Sequence, residues 1–144
     1  MNKTINIPKN CKVYIMGDNN IVEFKSKKSH FVGTICIGTP DVGAFGCSVI
    51  IGEGTSSEGV AMRVLEDNSS IIVGRDCMFS DEINIWNSDT HTIMDENGDI
   101  LNWGKSIQIG NHVWVGKQAT ILKNTTIADN SIIGWGAVVT GMFN

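Results

Sequence analysis

Residues 107–140 read IQIGNHVWVGKQATILKNTTIADNSIIGWGAVVT, and a step of six decides how they fold. Starting at Ile109, the step lands on Val115, Ile121, Ile127, Ile133 and Val139, branched aliphatics without a slip. Two residues before each stand Ile107, Val113, Ala119, Thr125, Ser131 and Ala137, mostly small or apolar. On an α-helix six residues turn about 240°, so these positions would visit every side. On a strand, residues two apart share a side. Each pair therefore predicts a short inward-pointing edge, and the residues between, such as Gly116-Lys117-Gln118, turn a corner. Three edges close a coil of about 18 residues, and coils stack through main-chain hydrogen bonds about 4.8 Å apart. The expected fold is all-β, a parallel β-helix of hexapeptides with Ile109 beside Ile127 and Val115 beside Ile133.

The repeat continues upstream through Ile71/Val73, Cys77/Phe79 and Ile83/Ile85. The next step reaches His91, where the pattern lapses until Ile109. Residues 91–108 thus read as one coil's length extruded as a loop, and such loops in compact domains are usually functional or disordered. Val49/Ile51, Ile35/Ile37 and Cys11/Val13 with Ile15 repeat the pairing at rougher spacing. Ile51 to Val73 is 22 residues, a coil plus a short excursion that turn chemistry places at Asp67-Asn68-Ser69-Ser70. No register follows before residue 49.

The chain of 144 residues reads as a single domain, 1–144, and 42% apolar residues suffice for a core. Sixteen glycines against two prolines fit many short strands separated by sharp turns. A net charge of −4 without a dense Lys/Arg cluster argues against a nucleic-acid partner; the densest run, Lys25-Ser26-Lys27-Lys28, reads as a solvated turn. No apolar run is long enough for a membrane span, and residues 1–9 lack a signal-type stretch, so a cytoplasmic protein is expected. The four cysteines form no C-x-x-C and read as free thiols; Cys11 and Cys77 fall at small inward positions, where they pack.

The runs 109–116 (IGNHVWVG) and 127–140 (IADNSIIGWGAVVT) resemble the hexapeptide acyltransferases. Ser88-Asp89-Thr90-His91-Thr92-Ile93, a polar loop and then Ile107-Gln108-Ile109-Gly110 resemble that family's active-site region. Galactoside acetyltransferase and the capsular polysaccharide and sialic-acid O-acetyltransferases are the nearest matches, over residues 71–140 and loosely before. The resemblance implies a left-handed coil, acetyl-CoA as cosubstrate without a metal, a saccharide hydroxyl as acceptor, and a homotrimer. Two departures stand out. Trp135 lies between Gly134 and Gly136 where the family often has a small residue. The sequence also ends at Asn144, before the usual extended arm and terminal coil or helix, which leaves two readings: part of the usual CoA surface is missing, or the sequence is a shortened one.

Acyl transfer to a hydroxyl needs a base, and histidine suits neutral pH. His91 matches the family's catalytic position; the plainer reading is a hydrogen-bonding loop residue. Asp89, two residues earlier, would orient the imidazole or merely serve the turn. By resemblance Trp114 lies near the active site, with its indole N–H a conceivable oxyanion donor; otherwise it packs a neighbouring subunit. Lys117 and Trp135, 18 apart, should stack along one face. With Thr140 they match positions lining the pantetheine groove; the alternatives are a solvated corner and an interface. Trp86, following inward Ile85, and Trp103, inside the loop, are acceptor-wall candidates or trimer contacts. His112 falls at an outward corner, and His30 is expected to face solvent. A zinc site of the gamma-class carbonic anhydrase type needs three histidines, whereas His91 and His112 are 21 residues apart with no third nearby. The rival readings are a non-catalytic β-helix scaffold, and an acceptor that is an amino sugar or a small-molecule drug.

Overall fold

In the computed structural model, which describes residues 1–143, the hexads wind into a three-faced prism of parallel strands. One face is the sheet Lys3–Ile5, Ile21–Phe24, Ser48–Ile51, Ser70–Val73, Ile107–Ile109, Thr126–Ile127 and Met142–Phe143. The second stacks Met78–Phe79, Trp114–Val115 and Ile132–Ile133; the third stacks Ile83–Trp86, Thr120–Ile121 and Val138–Val139. Ser56–Val64 belongs to both of these, since its start pairs with Met78–Phe79 and its later part with Ile83–Trp86. Phe31–Ile37 follows the same course, with a register shift between Phe31 and Gly33, and Cys11–Ile15 pairs with it on the third face. Gly33 is required there, because a Cβ would stand 2.6 Å from the Val60 carbonyl oxygen.

The expected register holds. Ile109 pairs with Ile127, and Val115 with Ile133. Ile51 pairs with Val73, and the intervening excursion lies at 65–69: it includes Asp67, Asn68 and Ser69 as expected, but it starts two residues earlier, and Ser70 is already in the strand, paired with Ser48. Upstream, Lys3 pairs with Ile21 but Ile21 with Ser48, and most of the surplus chain sits between Ile37 and Ser48. The long loop needs correcting: it occupies 87–106 rather than 91–108. Ile107 and Gln108 are already paired with Ile71 and Ile72. Stepping by six marks only the second inward residue of an edge, so it counted the strand entry as loop and the departing corner as coil.

The corners explain the prism. Asp76, Glu82, His112, Gln118, Asn124 and Asn130 adopt left-handed backbone with φ of 54–64°. Polar residues with short side chains tolerate that conformation best. The next residue opens an edge and is small at most corners, as at Cys77, Ala119, Thr125 and Ser131, though Ile83 and Val113 are larger. Thr55 donates its hydroxyl to the Gly74 carbonyl at 2.7 Å, and Cys77 its thiol to the Gly110 carbonyl at 3.1 Å. All four cysteines are free, and burial pushes the Cys11 thiol up to about 11, so it is a packing group rather than a nucleophile. The core is a column of aliphatics, widened at one level by Phe24, Phe31 and Phe79 in edge-to-face contact at 4.9 and 6.3 Å. No helix of the described residues is long and apolar enough to cross a membrane.

Candidate active site

The extruded loop is an ordered hairpin. Asn87 anchors its base: fully buried, it accepts from the Leu65 N–H at 3.0 Å and donates to Ser69 Oγ at 2.6 Å. Beyond it, the Leu101 N–H donates to the Ile93 carbonyl at 2.8 Å, and Met94 bridges Ile100 in antiparallel sense. Asp95 caps the tip by accepting from the Asn97 and Asp99 N–H groups, and Gly98 turns it with φ of 83°.

Asn102 holds the segment that carries His91. Its Nδ2 donates to the His91 carbonyl at 2.7 Å and to Asp89 Oδ2 at 3.1 Å, while its Oδ1 accepts from the Ile93 N–H at 2.7 Å. From the next coil, Lys123 Nζ reaches Asp89 Oδ2 at 2.7 Å and the Asn102 carbonyl at 3.3 Å. Lys123, with Asn102 beside it, holds the Asp89 carboxyl below the usual carboxylate range. Asp89 is therefore ionised wherever a neutral imidazole can exist, and the latch is intact at working pH.

A cavity of about 240 Å³ opens beside this hairpin. His91 lines it together with Thr90 and Trp103 from the loop, Leu65 and Glu66 from the preceding excursion, and Thr39 and Val42 from the one before. The volume lies below the range of roughly 300–1,000 Å³ typical of sites for drug-sized ligands. An exposed imidazole and the flat, 55% exposed Trp103 thus line the same cavity. Trp103 faces the space with nothing in the core requiring it. Among the described residues no group of three or more His, Cys, Asp or Glu is arranged to hold a metal.

Other expected site residues lie elsewhere. Asp89 bonds Lys123 and Asn102, and no hydrogen bond joins it to the His91 ring, so it acts on the loop rather than on the tautomer. Trp114 is on the second face between Met78 and Ile132, its indole N–H 3.5 Å from Ser80 Oγ, outside the His91 cavity of its own chain. Trp86 points outward as expected, but Arg63 covers its ring at 4.8 Å and its indole nitrogen is buried, so it lines no part of that cavity. Lys117 and Trp135 stack as spaced, with the ammonium 5.5 Å from the ring centre. Gln118 accepts from the Trp135 indole N–H at 3.2 Å and donates to Glu82 at 2.8 Å. Thr140 does not join them; it follows Val138–Val139, at the next edge. His112 is an exposed corner residue with Nδ1 3.0 Å from Asn130 Oδ1, and His30 is exposed beside Glu58 at 3.1 Å.

Sequence reasoning missed Asn102 and Lys123. Lys123 carried a signal: it lies 18 residues after Lys105, so the coil length puts it under the loop's return. The Asn124 N–H lies 3.5 Å from the Lys105 carbonyl, as that spacing requires. Asn102 carried none, because its role depends on a hairpin whose register lies outside the hexad pattern.

Residues 106–141 match the bacterial transferase hexapeptide family of six repeats. The chain is 33% identical over 118 residues to a polysialic acid O-acetyltransferase of Neisseria meningitidis, covering 78% of this chain and 52% of the relative. A polysialic acid O-acetyltransferase of Escherichia coli O1:K1 / APEC is 36% identical over 70 residues, covering 48% of this chain and 22% of the relative. The chain thus spans about half, or less, of the curated relatives it matches. The crystal structure of the polySia-specific acetyltransferase NeuO superposes with a TM-score of 0.84 at 30% identity, covering 98% of this chain and 64% of that one. That of the polysialic acid O-acetyltransferase OatWY does so with a TM-score of 0.75 at 28% identity, covering 99% and 74%. Likeness of sequence and likeness of coil agree: the chain is a left-handed parallel β-helix that carries the bacterial transferase hexapeptide repeat and is similar to the polysialic acid O-acetyltransferases.

Proposed function

We propose that this protein is an acetyl-CoA-dependent O-acetyltransferase acting on a hydroxyl of a sialic-acid polysaccharide, working in the cytoplasm where the thioester is made. The observation that carries the reading is the cavity in which His91 and Trp103 face the same space, on a hairpin held in place by the coil beneath it. His91 takes the proton of the acceptor hydroxyl as that oxygen attacks the thioester carbonyl. Trp103 offers an apolar face with a polar edge, which suits a sugar ring. Acetyl-CoA supplies the acetyl thioester. Its slender pantetheine arm and phosphates suit Lys117 and Trp135, a cation beside a 72% exposed aromatic at one edge. Thr140 on the next edge extends that surface. The acceptor class comes from the relatives' names. The test is thiol release from acetyl-CoA with polysialic acid against neutral polysaccharides and amino sugars; release with none of them leaves a scaffold as the reading.

Two consequences follow for the assembly and the acceptor. The outward residues Met78, Trp114 and Ile132 form a bare apolar column on the second face, 56%, 50% and 70% exposed. A homotrimer would cover it and set a neighbour's Trp114 toward the loop edge. Sedimentation should therefore give a trimer at micromolar concentration, and a stable monomer there would count heavily against it. Trp103→Ala should raise the acceptor KM several-fold while the acetyl-CoA KM and the trimer stay unchanged. If the change only dissociates the trimer or only weakens acetyl-CoA, Trp103 is no acceptor wall.

A further inference from the structure

Three excursions leave the prism at one edge, between the third face and the first: 38–47, 65–69 and 87–106. They are tied into a continuous wall. The Phe45 N–H donates to Asp67 Oδ1 at 3.0 Å, and the Asn68 N–H to the Phe45 carbonyl at 2.9 Å. The Leu65 N–H donates to Asn87 Oδ1 at 3.0 Å, and the Gly104 N–H to Glu66 Oε2 at 3.1 Å. The cavity containing His91 therefore extends along the prism axis, and its lining at Thr39 and Val42 comes from two coils away. Two coil steps amount to roughly 10 Å, more than one pyranose ring spans.

The first excursion is held rigidly although it contributes little to the core. Asn20, 2% exposed, donates to the Ala44 carbonyl at 2.9 Å and accepts from the Cys47 N–H at 2.8 Å. Gly17–Asp18 pairs with Ala44–Phe45, and a Cβ on Gly38, at φ of 76°, would stand 2.3 Å from the Met16 carbonyl oxygen. At the tip, the Thr39 N–H donates to the Val42 carbonyl at 2.8 Å and the Val42 N–H to Thr39 Oγ1 at 3.0 Å. This framework presents a 67% exposed isopropyl group to the cavity. A preorganised apolar tip in a polar-rimmed cleft lowers the ordering cost of binding.

We infer that Thr39 and Val42 form a second acceptor subsite, which holds the sugar unit next to the one whose hydroxyl reaches His91 and so favours polymeric over monomeric acceptors. The inference rests on the acceptor reading of the cavity. The test is direct binding by NMR, using sialic acid monosaccharide and a short sialic acid oligomer as probes. The oligomer should perturb the Val42 methyls and the Trp103 indole, and the monosaccharide only the latter. Val42→Asn, neutral and at an exposed position, should weaken the oligomer about fivefold and leave the monosaccharide unchanged. Phe45→Asn, on the same excursion but outside the cavity, is the control and should alter neither. Equal effects of Val42→Asn on both probes, no effect on either, matching losses in the control, or no binding of the oligomer would overturn the subsite. Oligomer binding with these signatures but without thiol release from acetyl-CoA would instead sink the transferase reading and leave the subsite standing.

Discussion

His91→Ala should lower turnover by about a hundredfold or more, with the affinity for acetyl-CoA near normal. General-base catalysis contributes about 10²–10⁴, and alanine removes the only imidazole in the cavity lining. Binding should persist because Lys117 and Trp135 stand at another edge of the prism and touch neither the hairpin nor its latch. Folding should also persist, since the His91 side chain is exposed and the bond made by its carbonyl belongs to the backbone. The comparison is His112→Ala, which removes a corner side chain whose ring meets only Asn130 among the described hydrogen bonds, and which should be much milder. Equal losses from the two substitutions, read as kcat with acetyl-CoA and polysialic acid, would remove His91 from the role of base.

From residue 71 onward the coil was legible in the sequence because each edge contributes two inward residues and each corner one left-handed residue, so spacing alone carries the register. That code weakens where edges merge. In Ser56–Val64 one strand runs round a corner, and no four-residue turn separates its two faces. Between Ile37 and Ser48 the surplus chain is set by buried Asn20 and by close backbone approaches at Gly17 and Gly38, which leave no periodic mark. The candidate site was legible to the same degree. The stacking of Lys117 on Trp135 followed from one coil length. Trp114 was placed near the active site by resemblance rather than by spacing; within one chain it stands on the second face, whereas the hairpin leaves at the end of the third.

Asn102→Ala should lower kcat by about tenfold to a hundredfold with little change in either KM. The side chain lines the cavity but its bonds go to the loop: the His91 carbonyl, Asp89 and the Ile93 N–H. Alanine frees the backbone on both sides of Thr92, and a displacement near 1 Å of a reacting group can cost about 10²-fold. The hairpin itself should survive on the Leu101–Ile93 bond and the Met94–Ile100 bridge. Asn102→Asp is the sharper variant. It keeps an acceptor for the Ile93 N–H, loses the donor to the His91 carbonyl, and sets a second carboxylate against Asp89, so Lys123 must serve two anions. It should fall below wild type at neutral pH, and its kcat relative to wild type at the same pH should rise as the pH drops toward the range where one carboxyl of the pair is protonated, while both enzymes slow as the imidazole base is protonated. A role confined to folding would show as a loss of protein or of thermal stability with kcat per folded molecule unchanged. Positioning shows as lost kcat at unchanged KM, with a pH profile in Asn102→Asp that Asn102→Ala lacks. A wild-type kcat in both variants would mean that His91 reaches its acceptor without the staple.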